Sequence, residues 1–143
     1  MSQTTLDSKN KINLIMAIEK AATDSDWECF KSYFTNDVLF KVGAGQERRG
    51  IRAIEDYLSW LFLILEPHLP VEIRGCWEQG DVVIRQVDAE FTRRSDDKSI
   101  RFPSVDIFRF DNDKIREWRI YTDQTELFSD QGRVKLHSPR RYA

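Results

Sequence analysis

The chain has 143 residues, 41% hydrophobic and 32% charged, with a net charge of −2 and a pI near 5.7. A single domain of this length buries roughly two-thirds of its unfolded surface, and the near-balanced charge gives no electrostatic footprint for nucleic acid. Two cysteines, Cys29 and Cys76, are too few for a disulfide framework and stand in no zinc or redox motif, so a reduced, cytoplasmic protein is expected. The N-terminal MSQTTLDSKNK has no apolar core, so no secretory signal is expected. Ile12, Ile15, Ile18 and Ala22 recur at helical spacing and predict a helix over residues 8–23, with Asp7 or Ser8 as N-cap. Ser25 to Glu28 (SDWE) reads as a capping box opening a short helix whose inner face is Trp27, Phe30 and Phe34. A strand is predicted near Val38–Val42, followed by a connection bracketed by Gly43, Gly45 and Gly50. From Ile51, the spacing of Ile54, Leu58, Leu61 and Leu65 predicts a third helix ended by Pro67 and Pro70. Its run LSWLFLIL is apolar on nearly every side, which predicts burial all round, and falls well short of the ~20 residues of a membrane span.

Everything after that reads as strand: Val71–Gln79, Val82–Arg94, Ile100–Phe110 and Lys114–Asp123, separated by Gly80-Asp81, SDDK and Asp111–Asp113. In the last strand Trp118, Ile120 and Thr122 alternate with Arg119, Tyr121 and Asp123, the signature of two unlike faces. Helices with one early strand, then a four-strand antiparallel meander, imply an α+β domain with helices on one face of a curved sheet. Such a sheet leaves a cone-shaped cavity open at one end. One domain is expected over residues 8–128, followed by a basic tail, residues 129–143, that carries Arg133, Lys135, His137, Arg140 and Arg141 as a solvated or loosely docked end.

This order, with DVLF…G…RRGIRAIEDYL and FPSVDIFRFDNDKIREWRIYTD, resembles the nuclear-transport-factor-2-like superfamily over roughly residues 10–128. The nearer resemblance is to its SnoaL-like, ketosteroid-isomerase-like and limonene-epoxide-hydrolase-like branches. It implies a cystatin-like α+β roll, a cone of antiparallel sheet wrapped around the N-terminal and central helices. Carried over residue by residue, it finds the catalytic aspartate that follows Trp-Arg on the last strand of the cyclases and epoxide hydrolases replaced by Ile120. The Arg-x-Asp pair of the hydrolases becomes Gln86 and Asp88. The isomerases' first carboxylate falls at Lys41 or Val42, whereas their second acid, before a Phe-Arg-Phe run, is matched by Asp106. In that family, a worked case of pKa tuning, such an acid is kept neutral by an apolar site and donates to an oxyanion.

The candidate catalytic acids are therefore Asp106 and Asp88, both placed by the resemblance on the concave face, where desolvation raises a carboxyl pKa. Each also reads as a structural acid, hydrogen-bonded to Arg85, Arg119 or a tyrosine, or facing a dimer partner. Tyr33, Phe40, Tyr57 and Trp60 are the expected helix-side and first-strand walls of a pocket, with Gln86, Phe108, Trp118 and Ile120 on the sheet. Trp27 and any of these aromatics also read as ordinary core. Lys41 reads as a desolvated base or a surface lysine, Arg48 and Arg49 as a clamp for an acidic substituent or a solvated loop. His68, with no second histidine in the folded part, predicts no metal site, and Cys76 reads as a packed thiol. No phosphate loop or dinucleotide fingerprint is present, so no cofactor is expected. The expected function is cofactor-free acid–base chemistry, of isomerase, cyclase or dehydratase type, on a small apolar or aromatic metabolite. The alternatives are a non-catalytic hydrophobic-ligand carrier and a dimeric interaction module. Homodimerisation through the sheet face of Val105, Ile107 and Arg109 is expected in every case.

Overall fold

Ile15, Ile18, Ala21 and Ala22 are buried along one stripe of α1 (Ser8–Thr23), as their spacing requires. The structure, a computed structural model, describes residues 8–68 and 72–128. The basic tail expected over residues 129–143 lies outside them. Lys11 joins the buried stripe, and its Nζ donates to Glu78 Oε2 at 2.7 Å and to the Gly80 carbonyl at 3.0 Å, fastening the start of α1 to the sheet. The second helix, α2, covers Trp27–Lys31. Its cap is Asp26, whose Oδ1 accepts from the Cys29 amide at 3.3 Å, and not Ser25, which stands at φ +58° one residue too early. Phe34 is not on this helix but opens β1 (Phe34–Val42).

A short β2 (Arg48–Arg49) pairs back on β1, and Gly50 then turns the chain into α3 (Ile51–Ile64). Gly50 has φ +100°, a conformation open to glycine, while its amide donates to the Val38 carbonyl at 2.8 Å. Ile54, Leu58 and Leu61 are the buried stripe of α3. Burial does not extend all round: Trp60 is 48% and Leu63 75% exposed, because sheet and core meet one side of the helix and its opposite side looks out. The helix stops at Ile64, before Pro67, because Leu65 turns extended and enters β3 (Leu65–Pro67), which pairs with β5.

The meander follows as β4 (Glu72–Gln79), β5 (Val82–Arg93), β6 (Ser99–Asp111) and β7 (Lys114–Thr122), each antiparallel to the next. The sheet is mixed rather than wholly antiparallel, since β1 joins the far edge of β7 in parallel. A 3₁₀ turn, Thr125–Phe128, ends the described chain. Asp123 caps it, its Oδ1 accepting from the Thr125 amide at 3.0 Å and hydroxyl at 2.6 Å.

Side-chain parity decides what this curled sheet presents to the helices. On β5 the inner set is Val83, Arg85, Val87, Ala89 and Phe91; on β6 it is Phe102, Ser104, Asp106, Phe108 and Phe110. The architecture is the α+β roll that the element order implied, three helices against a curled half-barrel. No helix among the described residues is long and apolar enough to cross a membrane.

Candidate functional site

The register of the sheet lines up one row of inward positions: Cys76 beside Arg85, Arg85 beside Asp106, Asp106 beside Ile120, and Ile120 beside Val42. Three of these five side chains are apolar or weakly polar, so the charged pair at the centre sits in surroundings that solvate ions poorly. Arg85 is 2% exposed. Its Nη2 donates to Asp106 Oδ2 at 3.1 Å, and its Nη1 donates to Glu19 Oε1 at 2.9 Å, with a second bond from Nη2 to Glu19 Oε2. Glu19 reaches this point because it follows Ile15 by four residues on the buried stripe of α1. The cluster is one buried guanidinium shared by two carboxylates.

Burial pushes the Asp106 carboxyl up to about 6, the Glu19 charge adding to the rise and Arg85 opposing it. Burial also opposes the charge on Arg85, but the hydrogen bonds and charges of Glu19 and Asp106 more than offset it, and its pKa stands above the ordinary arginine value. Asp106 has one further neighbour, the Ser104 hydroxyl, at 3.4 Å from Oδ1. With Oδ2 held by Arg85, the carboxyl keeps its proton to higher pH than an exposed aspartate does.

A cavity of about 90 Å³ opens in front of this cluster. Its apolar wall is built by Phe40, Leu58, Leu61, Phe91, Trp118 and Ile120, and its polar one by Glu19, Tyr57, Arg85, Ser104 and Asp106. Two buried donors on these walls, Trp118 Nε1 and Arg85 Nε, have no hydrogen-bond partner among the described residues. Buried donors are normally satisfied, so an acceptor delivered by a ligand would complete them. Tyr57, whose hydroxyl burial pushes up against the opposing Arg48 charge, lines both this cavity and a groove at its mouth.

Of the residues expected from the sequence, Asp106, Phe40, Tyr57, Trp118 and Ile120 meet at the cavity. Trp60 stands in the mouth groove, stacked on Phe128. Phe108 is buried behind the wall, its ring 5.4 Å from that of Trp118. Tyr33 lies away from the cavity, its hydroxyl 3.6 Å from Cys29 Sγ.

Asp88 and Gln86 correct the expectation of a concave-face pair. They alternate with Arg85, Val87 and Ala89, which line the cavity, and so occupy the outer face of β5. There Asp88 Oδ2 accepts from Arg74 Nη2 at 2.6 Å and from Arg101 Nη2 at 3.1 Å, and the Arg74 hydrogen bond holds its carboxyl below the ordinary range. Lys41, between Phe40 and Val42, likewise faces outward, in register with Arg119. His68 bonds Thr92 Oγ1 at 2.8 Å. Cys76 packs inside, and burial raises its thiol above the ordinary value.

Glu19 is the candidate that the sequence does not point to, whereas Arg85 is expected there only as a hydrogen-bond partner for an acid, which it is for Asp106. Glu19 shares a helix stripe with three apolar residues, and Arg85 shares strand parity with Val83, Val87 and Phe91. An opposite charge on each of two apolar faces was the available signal.

A curled mixed sheet closed over its helices around one buried acid is the nuclear-transport-factor-2-like roll. The SnoaL-like domain model matches residues 17–118, and the chain belongs to that family. No curated protein matches the sequence. Among solved structures, a nuclear-transport-factor-2-like protein from Burkholderia xenovorans LB400 is similar at 17% identity and TM-score 0.73, over 85% of this chain and 95% of that one. A protein of ketosteroid isomerase-like fold from Catenulispora acidiphila DSM 44928, in complex with trimethylamine, is similar at 16% identity and TM-score 0.71, covering 83% and 92%. An epoxide hydrolase of M. tuberculosis, described as limonene-epoxide-hydrolase-like, is similar at 20% identity and TM-score 0.70, covering 92% and 97%. At these identities the likeness is one of fold.

Proposed function

We propose that the cavity binds the oxygen-bearing end of a small, largely apolar ligand and carries out cofactor-free acid–base chemistry on it. The observation that carries this reading is Asp106: a carboxyl 5% exposed, in an apolar cavity, with one oxygen held by Arg85 and the other meeting only the Ser104 hydroxyl at 3.4 Å. A carbonyl oxygen placed there accepts from the Asp106 carboxyl in its protonated form, which is favoured below a pH of about 6, and Trp118 Nε1 or Arg85 Nε supplies a second donor. Negative charge that develops on the oxygen as a proton leaves the neighbouring carbon is then met by groups already in position. Glu19 is the second carboxylate on the cavity wall, and we assign it the base: it takes the carbon-bound proton and returns it at another carbon, so that an isomerisation balances without a cofactor. Asp88 has no part in this, being on the other face.

A second reading, ligand binding without turnover, is favoured by Ile120 beside Asp106 and by the double hydrogen bond that ties Glu19 to Arg85. The two readings separate on a β,γ-unsaturated cyclic ketone, 3-cyclohexenone, whose conversion to the conjugated enone is followed by absorbance. The catalytic reading expects enzyme-dependent conversion, with kcat falling about 10²–10³-fold in Asp106→Asn, as for loss of an oxyanion donor. Binding of the conjugated ketone with no conversion by the wild type would leave the carrier reading. Under either one, we propose that two copies pair through the outer sheet face, where Trp77, Ile84, Val105, Ile107 and Tyr121 gather.

A further inference from the structure

The inner cavity is small. Its 90 Å³ is less than the roughly 150 Å³ of an apolar cavity that holds benzene, so a ligand of more than about six heavy atoms extends beyond it. The way out is defined, because Val42, Tyr57 and Gln124 line both the cavity and the mouth groove. That groove, about 390 Å³, continues over Gly45, Gln46, Arg48, Trp60 and Phe128. Trp60 and Phe128 stack with their planes 9° apart, and both are about half exposed, at 48% and 47%. They form a flat apolar floor open to solvent.

The groove carries one charge. Arg48 is the only ionisable side chain other than Tyr57 among the described residues that line it, and its guanidinium lies 5.0 Å from the Tyr57 ring centre. Of the acids nearby in sequence, Glu47 pairs with Arg119 at 3.3 Å, Glu126 with Lys98 at 3.3 Å, and Asp123 accepts from Thr125. Arg49, the neighbour of Arg48, points to the other side of the sheet, where its Nη1 donates to the Asp37 carbonyl at 3.4 Å. The pair of arginines is thus divided by strand parity, and one of the two serves the mouth.

We infer that the mouth groove is a second subsite, selecting ligands in which a planar apolar body carries an anionic group: the body lies against Trp60 and Phe128, and the carboxylate or sulfonate meets Arg48. The inner cavity takes the uncharged oxygen-bearing end, and only this last assignment rests on the proposed function. Arg48 offers an anion a planar fork of donors already steadied over an aromatic face. A ligand anchored this way spends its outer contacts on orienting the inner end toward Asp106.

Paired dyes of like shape and unlike charge test the subsite directly: 8-anilinonaphthalene-1-sulfonate and its uncharged analogue N-phenyl-1-naphthylamine, titrated by fluorescence on the full chain. The wild type is expected to favour the sulfonate, and Arg48→Gln to weaken it about tenfold while changing the neutral dye less than about twofold. Added salt should erode the same preference. Arg49→Gln should leave both dyes unchanged. Trp60→Ala should weaken both, and Trp77→Ala, on the outer face, neither. Equal losses for the two dyes in Arg48→Gln, an equal effect of Arg49→Gln, dependence on Trp77 rather than Trp60, or no saturable binding of either dye would overturn the inference. Conversion of 3-cyclohexenone, followed on the same wild-type and Arg48→Gln samples, reports the inner chemistry without the dyes, so a failure of that chemistry and a failure of the subsite read out separately.

Discussion

Asp106 is the residue whose protonation links pH to stability. Its folded-state pKa of about 6 lies above the ordinary carboxyl value of 3.8. Between those values the folded chain holds a proton that the unfolded chain has released, so stability falls as pH rises through the window and is flat on either side. Asp106→Asn cannot titrate, and its stability relative to the wild type is expected to improve from pH 4 to pH 7 by up to a few kcal/mol. Urea melts of both proteins at the two pH values check this; a constant difference would contradict it. Arg85 is the opposite case. Arg85→Gln leaves Glu19 and Asp106 buried beside each other without their cation, a change expected to cost on the order of 3–5 kcal/mol. Glu19→Gln keeps the cation paired with Asp106 and removes a charge that raises the Asp106 pKa, so Asp106 should then titrate at lower pH, as read from its carboxyl carbon chemical shift. Asp88→Asn, on the outer face, should leave turnover of the unsaturated ketone within about twofold of the wild type.

At the scale of elements, the cavity depends on where α1 and α3 are held. Lys11 and Glu19 fasten the two ends of α1 to the sheet through Glu78 and Arg85, and Gly50 sets the angle at which α3 leaves β2. Gly50→Ala makes only an ordinary contact, with the Asn36 carbonyl oxygen 3.8 Å away, so the strain is in the backbone alone. At φ +100° that strain is expected to cost about 1–3 kcal/mol, measured by thermal or urea denaturation. Strand order, helix spacing and the place of Asp106 were legible in the sequence because long periodic segments and a DIFRF match carry them. The inner face of β5 was legible only in part. In VVIRQVDAEF three consecutive apolar residues begin the strand, so either parity starts well, and the charged residues after them fall on both faces. Val83, Val87, Ala89 and Phe91 choose the face that contains Arg85, but a buried arginine resembles a solvated one until its carboxylates are known. Those carboxylates are 66 and 21 positions away, on another helix and another strand, which no local pattern reports.

For the molecule as a whole, the unanswered surface is the outer face of the sheet. Helices cover the inner face, while the outer one sets Trp77, Ile84 and Ile107 side by side in one row and Gln86, Val105 and Tyr121 in the next. Trp77 is 55% and Tyr121 52% exposed, with the Trp77 ring folded over Gly75, where an added Cβ would clash with it. Toward the β1 side the face turns polar, Glu117 meeting Arg119 at 2.5 Å and Arg109 at 3.7 Å. An apolar centre with a charged rim is the anatomy of an interface, and a twofold axis through it would bring like rows together, burying roughly 800 Å² on each copy if the pairing is of ordinary size. Ile107 sits near the middle of that surface. Ile107→Asp would place two carboxylates near the axis while leaving the inner face of β6 untouched, so folding should survive and pairing should not. Sedimentation velocity at micromolar concentration is expected to show a dimer for the wild type and a monomer for Ile107→Asp, with dye binding at the mouth groove unchanged in the same samples. A monomeric wild type would remove the pairing altogether, and a dimer that persists in the variant would move it to another face.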